Sequence, residues 1–174
     1  GLAQESMLRE QAWLFLEIGR RLERALLLIA WFRCTLIARR EPEVEAELLA
    51  FVLRATESLM TYQREHRDSP RIESVLGLLL FDERNPRSLS AQLRKIESAV
   101  TRLGGSAGQI QLPDEARPVV EAASLLRLSD LSSLAAFDAD VPRRLVLDVL
   151  LERIALLLRR SSDVIGRRYF VDAR

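Results

Sequence analysis

Residues Met7 to Ala38 read MLREQAWLFLEIGRRLERALLLIAWFRCTLIA, and this stretch decides the fold class. Apolar residues recur in it at spacings of three and four, which is the period of one face of an α-helix. Arg33 is the one charged residue that interrupts this apolar face of the predicted helix. We therefore predict one helix of about 50 Å with an apolar stripe suited to a bundle. The stripe consists of Leu8, Ala12, Phe15, Gly19, Leu22, Leu26, Ile29 and Leu36.

The same spacing continues through most of the chain, and the alternation with period two that indicates a strand is absent. The sequence predicts an all-α fold: an up-and-down helical bundle with long first and last helices and shorter helices between, the two long ones as neighbours. Pro42, Ser69 and Ser88 are typical of helix starts, and Gly104-Gly105 of a helix end. Residues 82–87 and 104–112 are expected to be loops. The predicted helices span residues 7–38, 42–67, 70–80, 89–103, 113–128, 130–137 and 140–170.

Composition excludes several classes of protein. The 174 residues fit one domain, and 48% hydrophobic with 29% charged residues excludes a disordered chain. The net charge of +1 gives no general attraction to nucleic acid or to an anionic membrane. The longest apolar run is far shorter than a membrane span, and no signal peptide is recognisable, so we expect a cytoplasmic protein. A start without methionine suggests one domain, residues 1–174, cut from a longer polypeptide.

A second stripe of the first helix contains charged residues among apolar ones: Trp13, Leu16, Arg20, Glu23, Leu27, Ala30, Cys34 and Ile37. Arg20, Glu23 and Arg24 are three or four residues apart, so their side chains can meet and form charge-assisted bonds. Such a group is a structural or solvated ion pair, or a preorganised anion site. Glu152, Arg159 and Asp163 interrupt the last helix in the same way. They either alternate along a solvated helix face, which is the favoured interpretation, or join the first group if the two long helices face each other.

Common catalytic and metal-binding patterns are missing. A single histidine, His66, and a single cysteine, Cys34, do not form a zinc motif, so we predict no metal site. Cys34 lies on an apolar stripe and is expected in the core, and His66 on the surface or at a helix cap. Gly-rich phosphate loops and nucleophile motifs are not found. Gly19, Gly77 and Gly166 lie inside helices, where a close approach of another group would explain them.

Three segments together resemble a known bacterial family. Gly19-Arg20-Arg21-Leu22-Glu23-Arg24-Ala25 resembles the Glu-Arg signature of the alpha-E domain, a predicted all-helical family. Tyr62-Gln63-Arg64, Val75 to Leu80 and Asn85-Pro86-Arg87-Ser88-Leu89 are similar to the middle block of that family. Arg159, Ser161 and Tyr169-Phe170 are similar to its closing helix. Residues 104–140 show no specific similarity, and the first residues resemble the boundary where such domains follow a circularly permuted ATP-grasp domain.

The resemblance implies a context of peptide synthesis or modification. Alpha-E domains occur fused to, or encoded beside, ATP-grasp ligases, which join a carboxylate to an amine. It therefore implies an accessory domain, more an aid to a ligase than an enzyme, that docks the ligase in cis or in trans, or holds an anionic or peptide substrate. ATP and Mg²⁺ would belong to the ATP-grasp partner, and no cofactor is expected in this domain. The residues expected to bind the anion or the partner are Arg20, Glu23, Arg24, Tyr62, Arg64, Asn85 and Arg87.

Two alternatives stay open. In the first, the domain is an enzyme in its own right, a transferase or ligase half-site in which Glu23 is a weak candidate for the general base. Burial and the neighbouring arginines would act on the protonation of Glu23 in opposite directions, and the sequence does not decide between them. In the second, the bundle is purely architectural and determines the geometry of an oligomer.

Overall fold

The structure is a computed structural model that describes the backbone of residues 2–104 and 111–171, and the side chains from Glu5 onward within those ranges. The described residues contain no β-strand, only an isolated bridge between Ala38 and Arg143, so the all-α prediction is confirmed. No helix in these ranges has an apolar stretch long enough to cross a bilayer. The helices are α1 (Leu2–Thr35), α2 (Pro42–Ala55), α3 (Leu59–Glu65), α4 (Ile72–Leu76), α5 (Leu89–Leu103), α6 (Arg117–Arg127), α7 (Leu131–Ala135) and α8 (Leu145–Gly166).

The two long helices are neighbours, as predicted. Arg33 near the end of α1 pairs with Asp148 near the start of α8 at 2.7 Å. At the opposite end, the rings of Phe15 and Tyr169 meet edge to face, with 5.4 Å between their centroids. The helices are therefore antiparallel, and α1 packs on α5 along its other side. The ion pair with Asp148 also explains the charged residue that interrupts the apolar row of α1.

The core face of α1 differs from the predicted stripe. Its buried apolar residues are Leu14, Ile18, Leu22, Ala25, Leu28, Ile29 and Phe32, and Leu36 is buried directly after its end. Leu8, Ala12 and Gly19 of the predicted stripe are exposed. The prediction that Cys34 lies in the core is wrong, because its side chain is exposed. Apolar residues occur all round this helix, so periodicity alone could not distinguish the buried face from the exposed one.

The predicted second helix is interrupted, and the predicted third helix starts late and changes its type. The helix that begins at Pro42 ends at Ala55, and α3 follows after a tight connection. The next helix begins at Ile72, two residues after the predicted start at Pro70, and continues as a π-helical turn, Gly77–Phe81. The cap at Ser88 is confirmed, since its hydroxyl oxygen accepts a hydrogen bond from Ala91 N at 3.1 Å. Residues 105–110, most of the predicted flexible connection, lie outside the described residues.

The last helix begins later than predicted. Residues 140–142, the predicted start, form bends, and α8 starts at Leu145. Arg144, the residue before it, is a buried charge whose guanidinium bridges α1, α2 and the end of α7. The non-helical backbone before Leu145 thus places the Arg144 guanidinium within hydrogen-bond distance of these three elements. After Gly166 the helix continues as a π-helical turn, Arg167–Val171.

The expectation of close approach at the helical glycines holds for none of the three. A Cβ at Gly19 or Gly166 would have no heavy atom of the described residues within 4 Å. At Gly77 it would meet only the Leu131 side chain, at an ordinary contact distance of 3.8 Å.

Candidate functional site

A cleft of about 230 Å³ lies where α1, the α2–α3 connection and the start of α5 meet. Its lining combines a cationic rim with an apolar wall, which is the composition of a site for a small charged group. This volume is smaller than the range typical of drug-sized ligands. The cleft is therefore suited to an end group or a single side chain. It is lined by Arg24, Leu27, Leu28, Trp31, Ala55, Thr56, Glu57, Arg87 and Gln92.

Two of the predicted site residues converge on this cleft from distant parts of the sequence. Arg24 reaches it from the middle of α1, and Arg87 from the turn before α5. Arg87 forms an ion pair with Glu57 across the opening. Arg24 makes no ion pair with any residue that the structure describes, so the charges that line the cleft sum to one positive charge. The cleft therefore favours an anion.

Glu57 has an unusual backbone conformation, with φ of 53° in the left-handed region. The α2 helix ends in a Schellman motif: Glu57 N donates to Arg54 O at 3.0 Å, and Ser58 N donates to Leu53 O at 2.8 Å. Glycine is the usual residue at this position, and a side chain there costs about 1 kcal/mol. Strained residues occur often at functional sites. The glutamate is thus held in an unfavourable conformation at the point where its carboxylate meets Arg87.

Asn85 holds the turn that carries Arg87. Its side chain is buried, its Nδ2 donates to Leu78 O at 3.1 Å, and its Oδ1 accepts from Arg87 N at 3.0 Å. Ser88 then caps α5. The Asn-Pro-Arg-Ser segment is therefore a positioning device, in which only the arginine side chain lines the cleft and the asparagine fixes the backbone beneath it.

Gln92 lines the cleft from α5 and is held by Arg21 of α1, and the sequence analysis selects neither residue. Gln92 Nε2 donates to Pro86 O at 2.6 Å, and Gln92 Oε1 accepts from Arg21 at 3.4 Å. Arg21 also pairs with Glu17 at 2.7 Å, and this hydrogen bond holds the pKa of Glu17 below its ordinary value. The ion pair predicted among Arg20, Glu23 and Arg24 does not form in the described structure, and the neighbouring pair of Arg21 and Glu17 forms instead.

Tyr62 and Arg64 do not line the cleft. Tyr62 is buried on α3, where its hydroxyl oxygen accepts a hydrogen bond from Arg71 N at 3.2 Å. Its ring lies against the His66 imidazole, with 4.7 Å between centroids. Arg64 is exposed on the same helix. Tyr62 therefore orders the chain after α3, and its hydroxyl group makes no hydrogen bond with Asn85 or Arg20 in the described structure.

Arg20 and Glu23 lie on the exposed face of α1, outside the cleft. Neither forms an ion pair with a described residue. Glu152, expected near this group, lies 3.7 Å from Arg33 instead. The exposed position of Glu23 lacks the enclosed surroundings in which a carboxylate becomes an effective general base, so the geometry does not favour it as a catalytic group. Within the described ranges, no group of His, Cys, Asp and Glu side chains could hold a metal ion.

Residues 1–170 match Alpha-E, described as a predicted alpha-helical domain with a conserved ER motif. The chain belongs to the Alpha-E family. This Alpha-E domain is 36% identical over 165 residues to an uncharacterised protein of Mycobacterium tuberculosis strain H37Rv and to one of Mycobacterium bovis. The alignment covers 95% of the chain but 18% of each relative. No solved structure matches.

The comparisons establish the family and the fold class, and they assign no activity. The chain spans less than a fifth of the mycobacterial relatives, so the remainder of those proteins has no counterpart in it. In this Alpha-E domain the Glu-Arg pair of the first segment is Glu23-Arg24, of which the arginine alone faces the cleft. The capacity of the cleft to bind an anion therefore depends on its two arginines.

Proposed function

We propose that this Alpha-E domain is an accessory module that holds a carboxylate-bearing substrate for an ATP-grasp ligase during ATP-dependent amide bond formation. One observation carries the proposal: Arg24 and Arg87 line the same small cleft beside an apolar wall. Arginine presents a planar fork that matches a carboxylate. The link to a ligase rests on the resemblance of the Glu-Arg and Asn-Pro-Arg-Ser segments, and the much longer relatives are consistent with a module inside a larger protein.

The cleft's apolar wall adds a second requirement for the ligand. Trp31 lines the cleft and is braced by Phe51, with 5.1 Å between ring centroids. An aromatic surface beside a cation binds a group that is charged at one end and apolar at the other. An amino acid or the carboxyl end of a peptide has this form, and a cleft of about 230 Å³ has room for one such residue.

Glu57 acts in this proposal as an internal competitor. In the structure its carboxylate occupies Arg87, in the manner of an anionic ligand. An incoming carboxylate therefore binds first to Arg24 and competes with Glu57 for the second guanidinium. Glu57→Gln removes the competing charge and is expected to tighten anion binding, whereas Arg24→Ala and Arg87→Ala weaken it.

A thermal-shift titration tests the binding step. The probes are acetate, glutamate, inorganic phosphate and a short acidic peptide, each with wild type, Arg24→Ala, Glu57→Gln and the control Arg94→Ala. Arg94 is exposed on α5 and lies outside the cleft. A ligand at 100 times its Kd adds about 2.7 kcal/mol, which raises the Tm by roughly 5 to 10 °C. Equal shifts in wild type and Arg24→Ala would overturn the proposed site.

A second assay tests the role in the ligase reaction. ADP release by the ATP-grasp ligase is measured with its carboxylate and amine substrates, with and without the Alpha-E domain. We expect the domain to lower the KM for the carboxylate substrate and Arg24→Ala to lose this effect. If the wild-type domain and Arg24→Ala stimulate equally, the domain acts by docking alone and the substrate-holding role is refuted.

A further inference from the structure

The outward face of α1 is largely apolar and exposed, and the described side chain that reaches its edge is Arg102 of α5, whose guanidinium lies 5.8 Å from the centre of the Trp13 ring. Trp13, Leu16 and Leu27 on this face are 53%, 67% and 52% exposed. Ala30 and Cys34 are exposed on the same face. Exposed apolar surface of this extent on one helix is typical of an interaction surface. The opposite face of α1, around Ala25, is fully buried in the core.

The spacing on the outward face is that of a coiled coil. Exposed residues follow one another at intervals of three, four, three, four, three and four, which is a heptad repeat with a period of 3.5. We name these positions the α1 seam. A heptad seam is a surface shaped for another helix, and it differs from the 3.6-residue period of a helix that packs only against its own core. The α1 seam consists of Trp13, Leu16, Arg20, Glu23, Leu27, Ala30 and Cys34.

We propose that the α1 seam pairs with the α1 seam of a second copy of this chain, in an antiparallel coiled coil centred between Arg20 and Glu23. A two-fold axis at this point places Arg20 opposite Glu23 of the second copy, and the reverse pair forms by symmetry. It also places Leu16 opposite Leu27. The seam is complementary to itself in this orientation in both charge and apolar character.

The outer layers of the pair fit the same axis. Trp13, the largest side chain of the seam, lies opposite Ala30 of the second copy, one of the smallest. Each indole therefore has room on both sides of the two-fold axis. The parallel arrangement would place Arg20 on Arg20, Glu23 on Glu23 and Trp13 on Trp13, which opposes like charges and crowds two indoles. Charged residues at seam positions select orientation and register more than they add stability. The two charges that interrupt the stripe thus specify the antiparallel pair.

Charge-reversal variants test the proposal. The molar mass of the 174-residue chain is measured by light scattering at concentrations up to about 100 μM. We expect wild type to be a dimer. Arg20→Glu and Glu23→Arg each oppose two pairs of like charges, which should raise the dimer Kd roughly a hundredfold. The double variant Arg20→Glu/Glu23→Arg should regain the wild-type Kd, and an equimolar mixture of the single variants should form a heterodimer. Circular dichroism melts confirm that each variant is folded, and Arg94→Glu on α5 is the matched charge-reversal control.

Cross-linking tests the orientation. Arg9 is exposed and lies four residues before Trp13, so it continues the spacing of the seam. In the antiparallel pair it lies opposite Cys34 of the second copy. Arg9→Cys is therefore expected to form a covalent dimer with a short bis-maleimide, whereas wild type, with Cys34 alone, is not. Three results would overturn the proposal: a monomeric wild type, a dimer that Arg20→Glu leaves unchanged, or efficient Cys34-to-Cys34 cross-linking in wild type.

Discussion

Replacement of Arg144 should destabilise the domain more than any exposed arginine does. Its side chain is 2% exposed, and its guanidinium donates to Ala135 O at 2.8 Å, to Leu36 O at 2.8 Å and to Glu45 at 2.9 Å. The guanidinium also lies 4.0 Å from the centre of the Phe137 ring. Arg144→Met keeps an unbranched apolar stem but leaves two carbonyl oxygens and a half-buried carboxylate without this donor. Breaking a buried ion pair from one side costs about 3 to 5 kcal/mol.

Urea and thermal unfolding measure the effect. At roughly 2 to 4 °C per kcal/mol for a domain of this size, we expect the Tm of Arg144→Met to fall by about 6 to 20 °C. Arg143→Ala is the control, because the neighbouring arginine is half exposed and its pair with Asp148 at 3.1 Å should contribute at most about 1 kcal/mol. A loss below about 1 kcal/mol in Arg144→Met would refute the reasoning that these contacts join α1, α2 and α8.

Three further predictions concern single positions. Gly19→Ala should stabilise the domain by about 0.5 to 1 kcal/mol in urea unfolding, because the added Cβ meets open space within a helix. Ser88→Ala should lower the unfolding free energy by about 1 kcal/mol, since the cap to Ala91 N is lost. Burial and the hydrogen-bonded Glu115 carboxylate raise the pKa of Tyr169. The protonated hydroxyl stabilises the folded state fully below about pH 10. This contribution is lost as the pH rises through the folded-state pKa. The difference in unfolding free energy between wild type and Tyr169→Phe should therefore become smaller in unfolding curves above pH 10.

Sequence periodicity sufficed to predict the helices, but not their faces. The long first and last helices and the cap at Ser88 follow from local patterns that tertiary packing does not reverse. The buried side of α1 depends instead on which of two apolar rows meets α5 and α8. Cys34 shows the consequence, because an apolar stripe led to a core assignment and the residue is exposed. Periodicity alone does not carry the information on which row is covered.

The site could be predicted only at residues that lie in segments with a family resemblance. Arg24 and Arg87 stand in recognisable segments, and both line the cleft. Glu57 gave no such signal, because its importance depends on a left-handed backbone conformation that glycine would adopt more easily. Tyr62 was expected to bind an anion because of its neighbours in sequence, and its hydroxyl oxygen instead accepts a hydrogen bond from Arg71 N. Hydrogen-bond partners that depend on the tertiary fold cannot be deduced from a single sequence.

The Glu-Arg pair illustrates why adjacent residues need not share a task. Successive side chains on a helix point about 100° apart, and Arg24 accordingly lines the cleft while Glu23 lies on the α1 seam. The two proposals can therefore be separated at neighbouring positions. Arg24→Ala should weaken anion binding and leave the dimer intact, and Glu23→Arg should dissociate the dimer and leave binding by the monomer intact. Loss of both properties in each variant would refute this division and would mean that cleft and seam, which share Leu27, form one surface.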